Sequence, residues 1–413
     1  MKTKIFSTII LMVIASSSFA CGACWGMSPH SEMQVAIYRA AGFPGVEKFI
    51  NDFDAQLNDA DPVVAAEWHA TLDKIAGQKD SYYSRLFWFD NLEEAQAMSE
   101  ESGKPILYLR MLGKLTEDLS CANSRLFRTT LYTDPHVSTS MRDDYVLCWG
   151  SERPVPQVTI DFGDGRQMKT TITGNSIHYI LESDGTPIDA IPGLNSAVYF
   201  EDELDQALEL YNSIQDIAAE EKGKTVRAYH QKEVDEIAQW GANNWIMVGV
   251  NPAPSLDLSL ISSQMLTVGK GGYEMPMISM LDPWSYAQNS EVLDKSRWYA
   301  LAEASKYVPE FSDNAQTLIR SKNPEKYEDE EKWSALVTNL VYNTAVETAR
   351  NRASSEYVLH TWFADENQSK DLETLNKRVY DELFVTPQSD QWLGLTSTQI
   401  YSALDNDGIV KSD

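Results

Sequence analysis

The chain has few cysteines, few histidines, a deficit of basic residues and no long apolar run after its first twenty residues. Each shortage removes a class of protein. Four cysteines in 413 residues cannot staple a fold of this size, so they form local bonds, a redox site, or partly both. With 34 Lys and Arg against 61 Asp and Glu, the net charge is −27; such a surface repels phosphate backbones and anionic lipid heads and excludes nucleic-acid binding. Its default meaning is a solubilising coat. No later segment is long and apolar enough to be a membrane span. The six histidines, His30, His69, His136, His178, His230 and His360, show no pair at helical or strand ligand spacing, so no metal or cofactor is expected. No nucleophile elbow, phosphate loop or dinucleotide fingerprint is present, against hydrolase, nucleotide and Rossmann readings. Asp161-Phe162-Gly163 spells a kinase triplet, but without the other kinase signatures it reads as a turn.

Residues 1–20 have the order of an export signal: Lys2 and Lys4, the mostly apolar stretch Ile5 to Ile14, and small residues in Ser18-Phe19-Ala20. An exported, periplasmic or secreted protein is expected. Cleavage would leave Cys21 first and the net charge at −29, and a lipid anchor on Cys21 is the weaker alternative because Ser18 stands where a lipoprotein signal prefers Leu. A hydrophobic fraction of 43% with 11 Trp argues for folded units, and the length suggests two or three of them.

The pattern divides the chain into a helical N-terminal region at 21–80, an α/β unit at 81–223 and a mainly α-helical region at 224–413. In the first, Gly42-Phe43-Pro44-Gly45 separates two helices, and Val46, Phe49, Ile50, Phe53 and Leu57 recur at three- and four-residue steps. In the second, the aromatic run 86–89 precedes a helix from Asn91 to Ser102, a strand at 105–110, a helix started by Asp134-Pro135 and a strand at 145–149. A hairpin turning at Asp161–Gly165, strands at 177–181 and 187–191 around Ser183-Asp184-Gly185, and a helix over about 200–219 complete it. Further on, Trp333, Leu336, Val337, Leu340 and Val341 mark one helical face, and Leu372, Leu375, Val379 and Leu383 another. A Pro-, Gly- and Met-rich stretch from Val248 to Tyr286 separates the helical sets, which are expected to form a bundle or a platform for the preceding unit.

Chemistry concentrates at Cys121, which lies between the strand at 105–110 and a helix-compatible run. Backbone N–H groups and the helix dipole stabilise a thiolate at such a place. The order of elements resembles the thioredoxin fold, over roughly residues 82–218. Gly103-Lys104-Pro105-Ile106-Leu107-Tyr108-Leu109 resembles the first core strand of exported thioredoxin-like proteins, and Cys121-Ala122-Asn123-Ser124 falls near their Cys-x-x-Cys. Tyr132-Thr133-Asp134-Pro135-His136-Val137 with Tyr145-Val146-Leu147 looks like their helix and second strand, and Gly174–Leu181 with Asp184-Gly185 like their third strand and hairpin. The helical flanks also have the look of an exported bacterial family that carries this domain, which implies no activity.

The resemblance makes Cys121 the nucleophile, puts Ser124 in the resolving-cysteine position and puts Ser176 where a cis-proline shapes the substrate groove. The loop Met111–Ser120 is longer than the family's and lacks its Trp. Two functions stand open. One is a monothiol redox protein acting on protein or small-molecule thiols and disulfides through Cys121, resolved by Cys148, by Cys21 or Cys24, or by an outside thiol. The other is a non-catalytic binding or scaffold protein that keeps a degenerate form of the fold. For Cys121 the plainer alternatives are a structural bond to Cys148 or an inert buried thiol; for the Cys21/Cys24 pair, a bond tying down the N-terminus. His30 beside that pair adds a third metal-ligand type, one short of the four that a closed metal clip needs. His178, near Ser176, is placed to assist Cys121 or to be a satisfied core histidine.

Overall fold

The structure, a computed structural model, describes residues 30–171, 174–247, 295–384, 386, 387 and 389. The expected export signal, Cys21, Cys24 and the Val248–Tyr286 stretch lie outside the described residues. The protein is a mixed α/β molecule, mostly helical, built on one four-stranded mixed sheet.

Helices α1 (Glu32–Ala40), α2 (Phe43–Asp52), α3 (Asp54–Leu57) and α4 (Pro62–Ala76) come first. Gly42, at φ 64°, makes the break between α1 and α2 that its sequence position signals. Val46, Phe49, Ile50 and Leu57 are buried with Trp68, Leu72 and Ile75 in a core of their own. Arg39 fastens this helical unit to the aromatic run at 86–89: its guanidinium donates to the carbonyls of Ile75 and Trp88 (each 3.1 Å) and to Asp90 Oδ1 (3.1 Å), and it lies over the Phe87 ring. Arg39→Ala is expected to lower unfolding free energy by about 1–3 kcal/mol, since two buried carbonyls lose a charged donor. A urea titration with unchanged midpoint would show that this tether contributes nothing.

After the short α5 (Ser81–Ser84), α6 (Leu92–Ser102) begins with Asn91 accepting the Glu94 N–H and ends at Gly103 in the left-handed region, as Asn and Gly at those positions favour. The sheet strands are β1 (Ile106–Leu112), β2 (Val146–Arg153), β5 (Ser176–Leu181) and β6 (Pro187–Pro192), in the order β2-β1-β5-β6. β1 runs parallel to β2 and antiparallel to β5, and β5 antiparallel to β6. The parallel pair needs a crossover, which α7 (Ala122–Leu126), a π turn (Phe127–Leu131) and α8 (Pro135–Asp144) supply. Asp134 caps α8 by accepting the N–H groups of His136 and Val137. β5 and β6 are buried along their whole length, matching their near-continuous apolar composition and helical cover on both faces. Tyr108, Cys148, Tyr179 and Ala190 form one cross-strand row, and Leu109, Trp149, His178 and Ile191 form the next, so the two rows face opposite sides. Strands β3 (Gln157–Asp161) and β4 (Gln167–Thr171) make a separate hairpin turning through Gly163 and Gly165, both at positive φ.

Helix α9 (Ala197–Ile214) covers the sheet and α10 (Ala219–Met247) comes after it. The C-terminal helices are both platform and bundle. Leu372, Leu375, Val379 and Leu383, with Tyr380, Phe384 and Leu359, join the core of the sheet itself. The face expected at 333–341 is less covered: only Trp333 is buried there, against Arg320 and Tyr327. Burial in Glu330–Arg350 moves to Ala345, Val346 and Ala349, where small residues admit Trp298 and Leu301 of the Lys295–Ala304 helix. Helical spacing identifies an apolar face but not which turn of it meets a partner.

Candidate functional site

Cys121 stands as the cap residue of α7, with extended backbone, and its N–H donates to the Leu112 carbonyl at the end of β1 (3.2 Å). The thiol is therefore at a helix start beside the sheet, as its sequence setting predicts. It is also 0% exposed. Ser124 Oγ donates to the Cys121 carbonyl (2.8 Å) and shares a hydrogen bond with Ser120 Oγ (2.8 Å). Its hydroxyl closes the local turn. A methyl group at Gly174 would stand 2.6 Å from Asn123 Oδ1, so the chain entering β5 passes tightly against this turn.

Ser176 begins β5 opposite Met111, fully buried; its carbonyl accepts the Gly193 N–H (2.9 Å) and its Oγ has no hydrogen-bond partner. His178, two residues on along the same face, sits among Phe127, Tyr132 and Phe200. Its Nε2 shares a 2.6 Å hydrogen bond with the Tyr132 hydroxyl, and its Nδ1 has no partner. Either tautomer leaves one ring nitrogen unmatched. Burial pushes His178 down to about 3, so the imidazole is neutral. Burial, with Cys121 adding to it, pushes the phenols of Tyr132 and Tyr380 far above their ordinary range.

Tyr380 belongs to the C-terminal turn Val379–Leu383 and donates to the Asn175 carbonyl (3.4 Å). Asn175 Nδ2 donates to Thr386 Oγ1 (2.8 Å), and Arg153 donates to the carbonyls of Thr386 (2.9 Å) and Pro387 (3.4 Å). The C-terminal segment thus packs on the chain entering β5, which passes against the Cys121 turn. Sequence reasoning missed this packing, because the residues that form it read only as one apolar helix face.

Cys148 lies in β2 opposite Tyr108, buried, and burial with the nearby Asp90 and Glu94 pushes its thiol up to about 12. Cys121 and Cys148 are both free, so the structural bond that the sequence left open between them is not formed. An inert protonated thiol is the state that Cys148's surroundings favour.

The histidines scattered along the sequence do not stay scattered. His30 pairs with Thr71 (2.6 Å) and His69 with the Leu57 carbonyl (3.0 Å). His230 and His360 meet, Nδ1 to Nδ1, at 2.8 Å beside the buried Asp189. Their separation of 130 residues hid the pairing. The legible signal was Asp189 itself, a carboxyl inside the apolar run Pro187-Ile188-Asp189-Ala190-Ile191. No known protein family, no curated protein and no solved structure matches this chain.

Proposed function

We propose that this is an exported, degenerate thioredoxin-like protein that binds a partner without redox turnover. The sheet order β2-β1-β5-β6, the helical crossover from β1 to β2 and the thiol at the start of that crossover support the thioredoxin-like reading. The observation that carries the loss of turnover is the complete burial of Cys121. Disulfide exchange needs a thiolate that a second sulfur can approach in line, and a sealed thiol offers no such path. With Ser124 bonded into the turn, the position of a resolving thiol serves structure instead. The acidic surface is the part left to hold a partner, and no helix among the described residues is long and apolar enough to cross a membrane.

The test is thiol labelling of the folded full chain at neutral pH, with peptide mapping by mass spectrometry. Cys121 and Cys148 are expected to stay unmodified until denaturant is added, and insulin disulfides are expected to remain intact. Rapid native labelling of Cys121, together with insulin reduction that Cys121→Ser abolishes in a folded protein, would establish the redox reading in its place.

A further inference from the structure

Three elements far apart in sequence converge at the β6 edge of the sheet: Asp189 on β6, His230 on α10 and His360 on the Tyr357–Ala364 helix. All three are buried, and one ligand atom from each lies within 4.8 Å of the others. His230 Nε2 is 2.8 Å from the Ile188 carbonyl, which can only accept, so Nε2 carries the hydrogen and Nδ1 presents a lone pair. A ring nitrogen fixed this way from behind is the usual support of a metal-ligating histidine. Phe363 stacks on the His230 ring at 4.6 Å and 15°, holding its plane. Asp189 is oriented likewise: Oδ1 accepts the Ala190 N–H (2.8 Å) and Oδ2 the Tyr229 hydroxyl (3.2 Å).

The neighbourhood is rich in buried acid. Glu203, Glu233 and Glu356 are all buried, and the cations facing them are Arg352, 3.6 Å from Glu203, and the more exposed Lys232, 3.2 Å from Glu233. Glu356 stands one helical turn before His360; Tyr199 donates to its Oε2, and its Oε1 is buried without a hydrogen-bond partner.

We propose that Asp189, His230 and His360 form a site for a divalent transition metal that clamps the C-terminal helices to the sheet edge. Two imidazole nitrogens each about 2.0–2.1 Å from a tetrahedral ion stand about 3.3 Å apart, so the pair has to open by roughly half an ångström. Ligation displaces the proton that the two Nδ1 atoms share in the metal-free geometry. Nitrogen and oxygen donors without thiolate suit zinc, cobalt, manganese or ferrous iron. The clamp closes the long loops between residues 189, 230 and 360, so metal binding is also stabilisation of the fold.

The experiment uses the full chain with Cys21→Ser and Cys24→Ser, which removes two thiols able to bind metal independently. After chelation the protein is titrated with Co2+, with visible absorption and thermal melting as readouts. One equivalent is expected to bind with visible bands of a four-coordinate nitrogen and oxygen site, and the melting temperature is expected to rise. Asp189→Asn and His360→Gln, each near-isosteric and checked for folding by circular dichroism, are expected to weaken Co2+ binding by at least ~100-fold and to abolish the melting shift. Absence of the bands and of the shift in the folded parent overturns the proposal. So does Co2+ binding that survives unchanged in either folded variant.

Discussion

Tyr380→Ala is expected to lower unfolding free energy by about 3–5 kcal/mol and to make Cys121 reactive in the folded protein. The ring is fully buried in the sheet's own core, packs edge-to-face on Phe384 at 5.3 Å, and is electrostatically coupled to Cys121. Removing it leaves a cavity at the point where the C-terminal segment meets the chain entering β5. It also removes the hydroxyl donor to the Asn175 carbonyl. The segment then opens more readily, and because 1.4 kcal/mol is a factor of ten in a population, native labelling of Cys121 is expected to accelerate by roughly 100-fold or more. Tyr380→Phe separates the two contributions. It keeps the ring, loses only the 3.4 Å hydrogen bond, and is expected to cost about 0.5–1.5 kcal/mol with little change in labelling. Should Cys121 stay unreactive in a folded Tyr380→Ala protein, the thiol is sealed by something other than this segment.

The second large effect is on acid stability. His178 has its ordinary value of 6.5 in the unfolded chain and about 3 when folded, burial being the whole cause. Below pH 6.5 the unfolded chain takes up a proton that the folded protein refuses. Stability is therefore complete above 6.5 and is lost as pH falls towards 3, by on the order of 5 kcal/mol over the full window. His230, held down to about 4, and His360, held well below 6.5, act in the same direction, again chiefly through burial. Glu203, raised by burial to about 7, acts oppositely: between 4.5 and 7 the unfolded chain ionises first, so its contribution falls as pH rises. The informative measurement is thus a difference, urea stability against pH for the parent and for His178→Gln. The variant is expected to show a shallower loss below pH 6.5. Parallel curves would mean that His178 is charged, or solvated, in the folded state.

Local chemistry made much of the sheet readable. Asp134 caps the helix it was expected to start, the helix expected from Asn91 begins with Asn91 as its cap, the β3–β4 turn falls where Asp and Gly cluster, and the strand runs are apolar because helices cover both faces. The placement of Cys121 at a helix start was readable for the same reason. Its burial was not. Tyr380 and Thr386 bond to the chain entering β5, and their sequence shows a helical face or a polar loop but nothing of what they meet. The buried histidine pair was hidden by sequence distance, and the face at 336–341 misled because an apolar stripe does not say where along a helix its partner sits.

The segment that packs on the chain entering β5 is the last described part of the chain, so it is synthesised long after the strands it meets. Contacts between residues so far apart in sequence are slow to form, and β1, α7 and β2 can assemble well before them. Until Tyr380 docks, Cys121 remains within reach of oxidants, in a compartment that favours disulfides if the chain is exported. For Cys121 to stay reduced in such a compartment, the C-terminal segment has to arrive before oxidation does.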